Sequence, residues 1–170
     1  MNGMKIKIIL FIVSVLLLAC HKDKPITVDL NLTGCPINNS CTYNYYDDAD
    51  FSTTNPLTQG NYRVFWYSRS NDNVCGPASH FYLKAAVNNA DFIISSNQLT
   101  SAQVFTGYND SCPCCARATV LSTIIDGEIK GHRIDAQHWL INARIIFGVS
   151  AGHPIDSIKV NQYFTLAKLP

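Results

Sequence analysis

Cysteines are the residues with the most obvious chemistry in this chain, which has seven of them in 170 residues. Three lie in the cluster Cys112-Pro113-Cys114-Cys115, where Cys112 and Cys115 have the C-x-x-C spacing of thiol–disulfide oxidoreductases. Those enzymes place the pair at a helix N-terminus, which lowers the pKa of the first thiol. Residues 116–121 are instead typical of a strand, so disulfides with a structural role are favoured over redox catalysis.

Metal binding is the second chemistry to consider. Asp47, Asp48 and Asp50 supply carboxylate oxygens, but the glycine-punctuated loop of an EF-hand is absent. The candidate nitrogen ligands match no zinc-binding spacing, with or without the cysteines. These ligands are His80, His132, His138 and His153. We therefore predict no metal site and no cofactor.

Acid–base or nucleophilic catalysis has little support. The chain has a single glutamate, Glu128, and neither a Gly-x-Ser-x-Gly elbow nor a phosphate-binding glycine loop. Asp135 and His138 are spaced as a pair, yet no serine is specifically presented to them. We predict no catalytic residues. A hydrolase stays an alternative, since catalytic triads assemble from distant positions.

Aromatic residues are concentrated in one part of the chain. Ten of the 18 lie between Tyr43 and Tyr82. A strand with one buried face places about half of its aromatic rings in the core, and the other half can form an exposed platform. The candidate binding residues on such a platform are Tyr45, Tyr62, Trp66 and Tyr82.

The N-terminus has the organisation of a secretory signal peptide. Lys5 and Lys7 give a basic start without any acid, and residues 8–18 are apolar except for Ser14. This run of 11 residues is well short of the roughly 20 that a membrane-spanning helix needs. We therefore expect residues 1–19 to be a cleaved leader.

Leu17-Leu18-Ala19-Cys20 resembles the lipobox of bacterial lipoproteins. The resemblance covers only the first 20 residues, and Leu18 is bulkier than the small residue usual at its position. It implies cleavage after Ala19, lipidation of Cys20 and a polar tether over residues 20–25. Several acyl chains hold a protein durably on a membrane. No Asp follows Cys20 directly, which in this family favours the outer membrane and leaves the face open.

Lipidation of Cys20 would make the remaining cysteine count even. Six cysteines in an oxidising compartment indicate three disulfides, with 15 possible connectivities. Adjacent cysteines rarely bridge, so we expect each cysteine of the 112–115 cluster to pair outside that cluster. The predicted disulfide cysteines are Cys35, Cys41, Cys75, Cys112, Cys114 and Cys115.

Charge and length limit the remaining function classes. The leader holds two of the 13 basic residues and none of the 12 acidic ones, which leaves the mature chain with a net charge of about −1. Without a basic patch, nucleic-acid binding is rejected. Residues 26–170 are long enough for one domain, and no second boundary is visible.

Short strands account for most of the mature chain. We predict a first strand over residues 26–32, and hairpins around Asn88-Asn89 and Asp126-Gly127, the latter pair being a strong turn signal. The cleanest alternation puts five residues on one face: Trp139, Ile141, Ala143, Ile145 and Phe147. Residues 107–113 are predicted as a loop and residues 155–167 as a last strand.

The combined pattern predicts an all-β protein, an antiparallel β-sandwich with a β-barrel as the alternative. We expect a lipid-anchored envelope protein that is more plausibly a non-catalytic binding module than an enzyme. Its partners would be the membrane, through Cys20, and a glycan, a peptide or another envelope protein. The alternative is an envelope enzyme with thiol–disulfide redox or hydrolytic activity.

Overall fold

The computed structural model describes most of the chain beyond the leader. Several predicted features lie outside the described residues: the leader, Cys20 with its tether, His153, and the cysteines at 75, 112, 114 and 115. The described ranges are 26–27, 29–51, 57–71, 78–88, 90–100, 106–111, 123–148 and 154–170; of 106–111 and 155–156 only the backbone is considered.

Strands dominate these ranges, so the all-β prediction is confirmed. One short helix, α1, spans Ser96–Thr100. The strands are β1 (Asn39–Asp50), β2 (Thr58–Gln59), β3 (Tyr62–Asn71), β4 (Ala78–Ala86), β5 (Phe92–Ile94), β6 (Thr106–Ser111), β7 (Thr123–Arg133), β8 (His138–Gly148) and β9 (Pro154–Leu166).

All nine strands belong to one curled sheet, ordered β5-β7-β8-β9-β1-β3-β4-β6, with β2 beside β1. The sheet is mixed, because β1 and β9 run parallel at Asn44↔Thr165 and Tyr45↔Leu166. Phe65 on β3 contacts Phe92 on β5 at 5.8 Å between ring centroids, although four strands separate β3 from β5 in the sheet. The sheet therefore closes on its own inner face as a half-barrel.

The core fills the inner face of this half-barrel. The five alternating residues predicted on β8 are all buried there, from Trp139 to Phe147, which confirms that prediction. Tyr45 and Phe65 meet them from the opposite wall, and Phe65 packs edge-on against Trp139 at 5.7 Å. Opposite residues on each strand point to an outer face, because side chains alternate along a strand.

The hairpin predicted at Asp126-Gly127 is wrong. Residues 123–133 form one continuous strand, β7, with a register shift between Ile124 and Asp126. A β-bulge absorbs the extra residue without reversing the chain. Gly127 is required by a close approach, since a Cβ there would lie 2.7 Å from the backbone oxygen of Arg144.

Two further local predictions are wrong because distant strands compete for the same residues. β4 and β5, predicted to pair around Asn88-Asn89, pair instead with β6 and β7. Residues 106–111 lie in strand β6 rather than in a loop, because the edge of β4 is available to them. The last strand and the β8 strand are confirmed within one or two residues.

The predicted first strand over residues 26–32 is not found. Residues 29–33 form instead an extended segment on β9, here called the N-terminal strap. The side-chain amide nitrogen of Asn161 donates to the carbonyls of Asp29 and Asn31, both at 2.8 Å. The Thr33 N–H donates to the Asn161 carbonyl, and the Asn161 N–H donates to the Thr33 hydroxyl, both at 2.9 Å. The Gln162 side-chain amide donates to the Thr33 carbonyl. Side chains therefore attach the strap where a strand ladder would otherwise run.

One disulfide is described, and it joins Cys35 to Cys41. That both residues form a disulfide is confirmed, but their pairing with the 112–115 cluster is wrong, because they bond to each other across six residues. The bond ties the end of the strap to the start of β1. If the other four cysteines also pair, one bond must form within the cluster.

Replacing Asn161 with Asp should loosen the strap. The change removes the two N–H groups that hold Asp29 and Asn31, at a residue that is 2% exposed. We expect the free energy of unfolding to fall by about 1–3 kcal/mol in urea denaturation, with faster exchange of the Thr33 amide. Asn61→Asp makes the same change at an exposed residue and should cost less than about 0.5 kcal/mol. Unchanged Thr33 exchange in folded Asn161→Asp would contradict this role.

Candidate functional site

Aromatic side chains form a row across the outer face of β1, β3 and β4. Tyr46, Trp66 and Tyr82 all have the outward phase of their strands, and Trp66 lies directly opposite Tyr82 in the register. His80 lies two residues before Tyr82 in β4 and therefore on the same face. We call Tyr46, Trp66, His80 and Tyr82 the aromatic row.

Direct ring contacts hold the row together. The Trp66 ring centroid is 5.5 Å from that of Tyr82 and 6.0 Å from that of Tyr46. His80 contacts both Trp66 at 6.2 Å and Tyr82 at 6.4 Å. Pairs of aromatic rings at such separations contribute about 0.5–1.5 kcal/mol each beyond their burial. The row is thus a fixed group of rings across three strands, in which Tyr46 and Tyr82 are buried and Trp66 and His80 are half-buried.

Two ring nitrogens in the row are buried, and among the described residues neither has a hydrogen-bond partner. They are Nε1 of Trp66 and Nδ1 of His80. A buried polar group without a partner costs about 1–3 kcal/mol. The indole N–H can only donate, whereas a neutral imidazole nitrogen donates or accepts according to its tautomer. A hydroxyl group, which both donates and accepts, has the chemistry to satisfy the two nitrogens together.

The opposite end of the row is closed by charged and apolar side chains. Phe51 packs on Tyr82 at 5.1 Å between ring centroids, and Lys84 Nζ lies 5.0 Å from the ring centroids of both Phe51 and Tyr62. Lys84 also pairs with Asp50. Burial, followed by the nearby Tyr46, raises the pKa of Tyr82. Trp66 and His80 remain half-buried, so a ligand would approach at their end.

The four predicted platform residues divide between the two faces. Trp66 and Tyr82 belong to the row, and Tyr62 is 43% exposed at its closed end. Tyr45 is 1% exposed on the inner face and Tyr82 is 9% exposed in a second buried cluster on the outer face, so the expectation of an exposed ring is wrong for both. Tyr46, the next residue along β1, lies on the outer face instead. The signal that could have shown this is strand phase, since a single-residue shift moves a side chain to the other face.

Two Asp–His pairs lie elsewhere, around the turn between β7 and β8. Nδ1 of His132 is 2.5 Å from an Asp91 oxygen, and Nδ1 of His138 is 2.9 Å from Asp135. Backbone N–H donation from Gln137, followed by the His138 hydrogen bond, lowers the pKa of Asp135. In the described ranges no hydroxyl group bonds to either imidazole, so neither pair has the nucleophile of a hydrolytic triad.

Two of the three aspartates weighed for calcium are engaged with cations. Asp47 accepts two hydrogen bonds from Arg63, at 2.5 and 2.8 Å, and Asp50 pairs with Lys84. Asp48 lies at the irregular part of β1 with φ 52°. Throughout the described part of the chain, no three or more His, Cys, Asp or Glu residues are grouped as a metal site would require.

Lys84 controls the ionisation of Asp50. A hydrogen bond from Lys84, supported by the Phe51 N–H, holds the pKa of Asp50 below its ordinary 3.8. Its ionised form therefore stabilises the fold above the unfolded pKa, and that contribution is lost as pH falls through the folded pKa. We expect Lys84→Met to raise the Asp50 pKa in an NMR carboxyl titration.

Lys130→Met is the matched control, because Lys130 pairs with Glu128 instead. It should leave the Asp50 titration unchanged. The stability difference between the wild type and Lys84→Met should also shrink as the solution is acidified below the folded pKa of Asp50. A titration of Asp50 that is identical in both variants would refute the assignment.

Comparison with known proteins finds no relative of this chain. No family model matches the chain, and no curated protein or solved structure is significantly similar to it. In the residues that the structure covers, no helix has the length and apolar character needed to cross a bilayer. The features that bear on function are therefore the aromatic row and the sequence of the N-terminus.

Proposed function

We propose that this protein is a lipid-anchored cell-envelope binding module that holds a glycan on its aromatic row. The N-terminal leader and the lipobox-like Leu17-Leu18-Ala19-Cys20 support the anchor. The resemblance to lipoproteins favours the outer membrane. Cys20 carries the lipid, and the single domain that follows the tether carries the binding surface.

The observation that carries the glycan assignment is the pair of unpartnered nitrogens on Trp66 and His80. A sugar ring offers C–H faces that pack on aromatic rings, and hydroxyl groups that both donate and accept hydrogen bonds. Trp66 and His80, whose ring centroids are 6.2 Å apart, supply both aromatic faces and hydrogen-bonding nitrogens. A peptide backbone places its donor and its acceptor on separate groups, and only a Ser, Thr or Tyr side chain of a peptide would offer both on one atom.

The half-barrel also favours the barrel alternative over the sandwich. Phe65 from β3 and Phe92 from β5 meet in one core cluster enclosed by a single sheet. A sandwich would bring two separate sheets together across that core. We infer an open barrel whose outer face carries the row.

Trp66→Phe tests the glycan proposal, because it keeps an aromatic ring while it removes the indole N–H and reduces the ring area. An array of envelope oligosaccharides and peptidoglycan fragments identifies a ligand, and calorimetry then measures its affinity. We expect Trp66→Phe to weaken binding about tenfold, equivalent to about 1.4 kcal/mol, and Trp66→Ala to weaken it further. Tyr163→Phe, on the outer face of β9 away from the row, should bind normally. Equal glycan affinity in all three variants would exclude the row.

Cys20→Ser tests the anchor. Each buried methylene of an acyl chain contributes about 0.8 kcal/mol, so the lipidated protein should enter the detergent phase and incorporate labelled fatty acid. Cys20→Ser should do neither and should keep its leader. Cys35→Ser removes the disulfide observed with Cys41 but should still be labelled. Fatty-acid labelling that persists in Cys20→Ser would place the lipid elsewhere.

A further inference from the structure

Large aliphatic side chains are exposed on and beside the N-terminal strap. Leu30 is 73% exposed and Leu32 is 44% exposed on the strap itself. Ile37, in the loop closed by the Cys35–Cys41 disulfide, is 89% exposed. Leu30 and Leu32 are two residues apart in an extended segment, so they point to the same side. Tyr163, two residues from Asn161 on β9, is 38% exposed.

The strap cannot leave the body of the protein without breaking specific contacts. Asn161 holds it at Asp29 and Asn31, and the disulfide holds the chain directly after it. The position of the first strap residue on the domain is therefore defined. A tether at the N-terminus would therefore pull on the domain at the strap.

The length of chain between Cys20 and the strap limits the distance to a membrane. Eight residues lie between Cys20 and Asp29, so nine Cα-to-Cα steps join them. At about 3.3–3.6 Å per residue, a fully extended chain of that length spans roughly 30 Å at most. An acylated Cys20 would thus keep the strap within that distance of the bilayer surface.

We propose that the strap side of the domain faces the membrane that holds the anchor, with Leu30, Leu32 and Ile37 inserted at the headgroup boundary. This inference rests on the lipidation of Cys20 in the proposed function. Apolar side chains of peripheral proteins enter this boundary to about 5–10 Å, and tyrosine is favoured there as well. The anchor supplies a high effective concentration, so a small apolar surface suffices to orient the domain.

The register of the sheet identifies the end that faces away. Leu166 of β9 lies opposite Tyr45, which puts Asn161 five residues back, level with Ser40 at the start of β1. Val87 follows Ala86, which is aligned through Tyr62 with Ala49 near the end of β1. Ser40 pairs with Ser70 and Ala49 with Tyr62, so eight residues of β3 at about 3.3 Å each separate these levels by roughly 26 Å.

Val87 is therefore a matched control, because it has the same exposure as Leu32, 44%. Leu32→Trp and Val87→Trp would be made in the lipidated full-length protein and reconstituted into phosphatidylethanolamine–phosphatidylglycerol vesicles containing brominated lipid. The fluorescence added by each new indole is measured against the wild type. We expect the Leu32→Trp signal to shift to shorter wavelength and lose severalfold more intensity than that of Val87→Trp.

Two failures are distinguishable in this experiment. If mass spectrometry shows no acyl group on Cys20, the anchor of the proposed function fails, and the orientation fails with it. If Cys20 is acylated and the two indoles are quenched equally or not at all, only the orientation is overturned. Leu30→Trp repeats the measurement at the more exposed strap residue, where a larger ring meets no packed neighbour that would oppose folding.

Discussion

A buried arginine closes one end of the half-barrel, and the arrangement of both sheet faces depends on it. Arg63 is 4% exposed and makes a two-point ion pair with Asp47 and a hydrogen bond to the Asn88 carbonyl. Its guanidinium lies 4.8 Å from the Trp139 ring centroid and 5.4 Å from that of Tyr45. A charge is tolerated inside a core only when its hydrogen bonds and its counterion are supplied there. Strands β1, β3 and β8 are thereby joined at a single side chain.

Fixing Arg63 inward also determines what faces outward. Val64 and Trp66 take the opposite phase of β3, and the β4 residues across from them bring Tyr82 to the same outer face. One aromatic-rich segment of chain thus serves the core and the candidate binding surface at once. The inner rings are enclosed by the curl of the sheet, whereas the outer row retains two polar nitrogens without partners.

The contact between β9 and β1 makes the two ends of the sheet different from each other. Its ladder is short, and the strap fills the space beside Asn161 with side-chain hydrogen bonds. The Cys35–Cys41 disulfide secures the same place covalently. Short-range covalent closure limits the strap to its own domain. The end of the sheet where the chain enters is therefore chemically unlike the end near Val87.

Sequence alone determined the strand-rich class and the β8 face from Trp139 to Phe147, because period-two alternation is a local pattern. Tertiary structure alone decided that Tyr45 packs on the inner face and Tyr46 on the outer face, that the chain bulges between Ile124 and Asp126 instead of turning at Asp126-Gly127, and that Cys35 bonds Cys41. Consecutive aromatic residues leave strand phase undetermined locally, and a strong turn pair is overridden when its flanks find one continuous partner strand. Phase, pairing and cysteine partners follow from contacts between residues far apart in the chain, which no local pattern records.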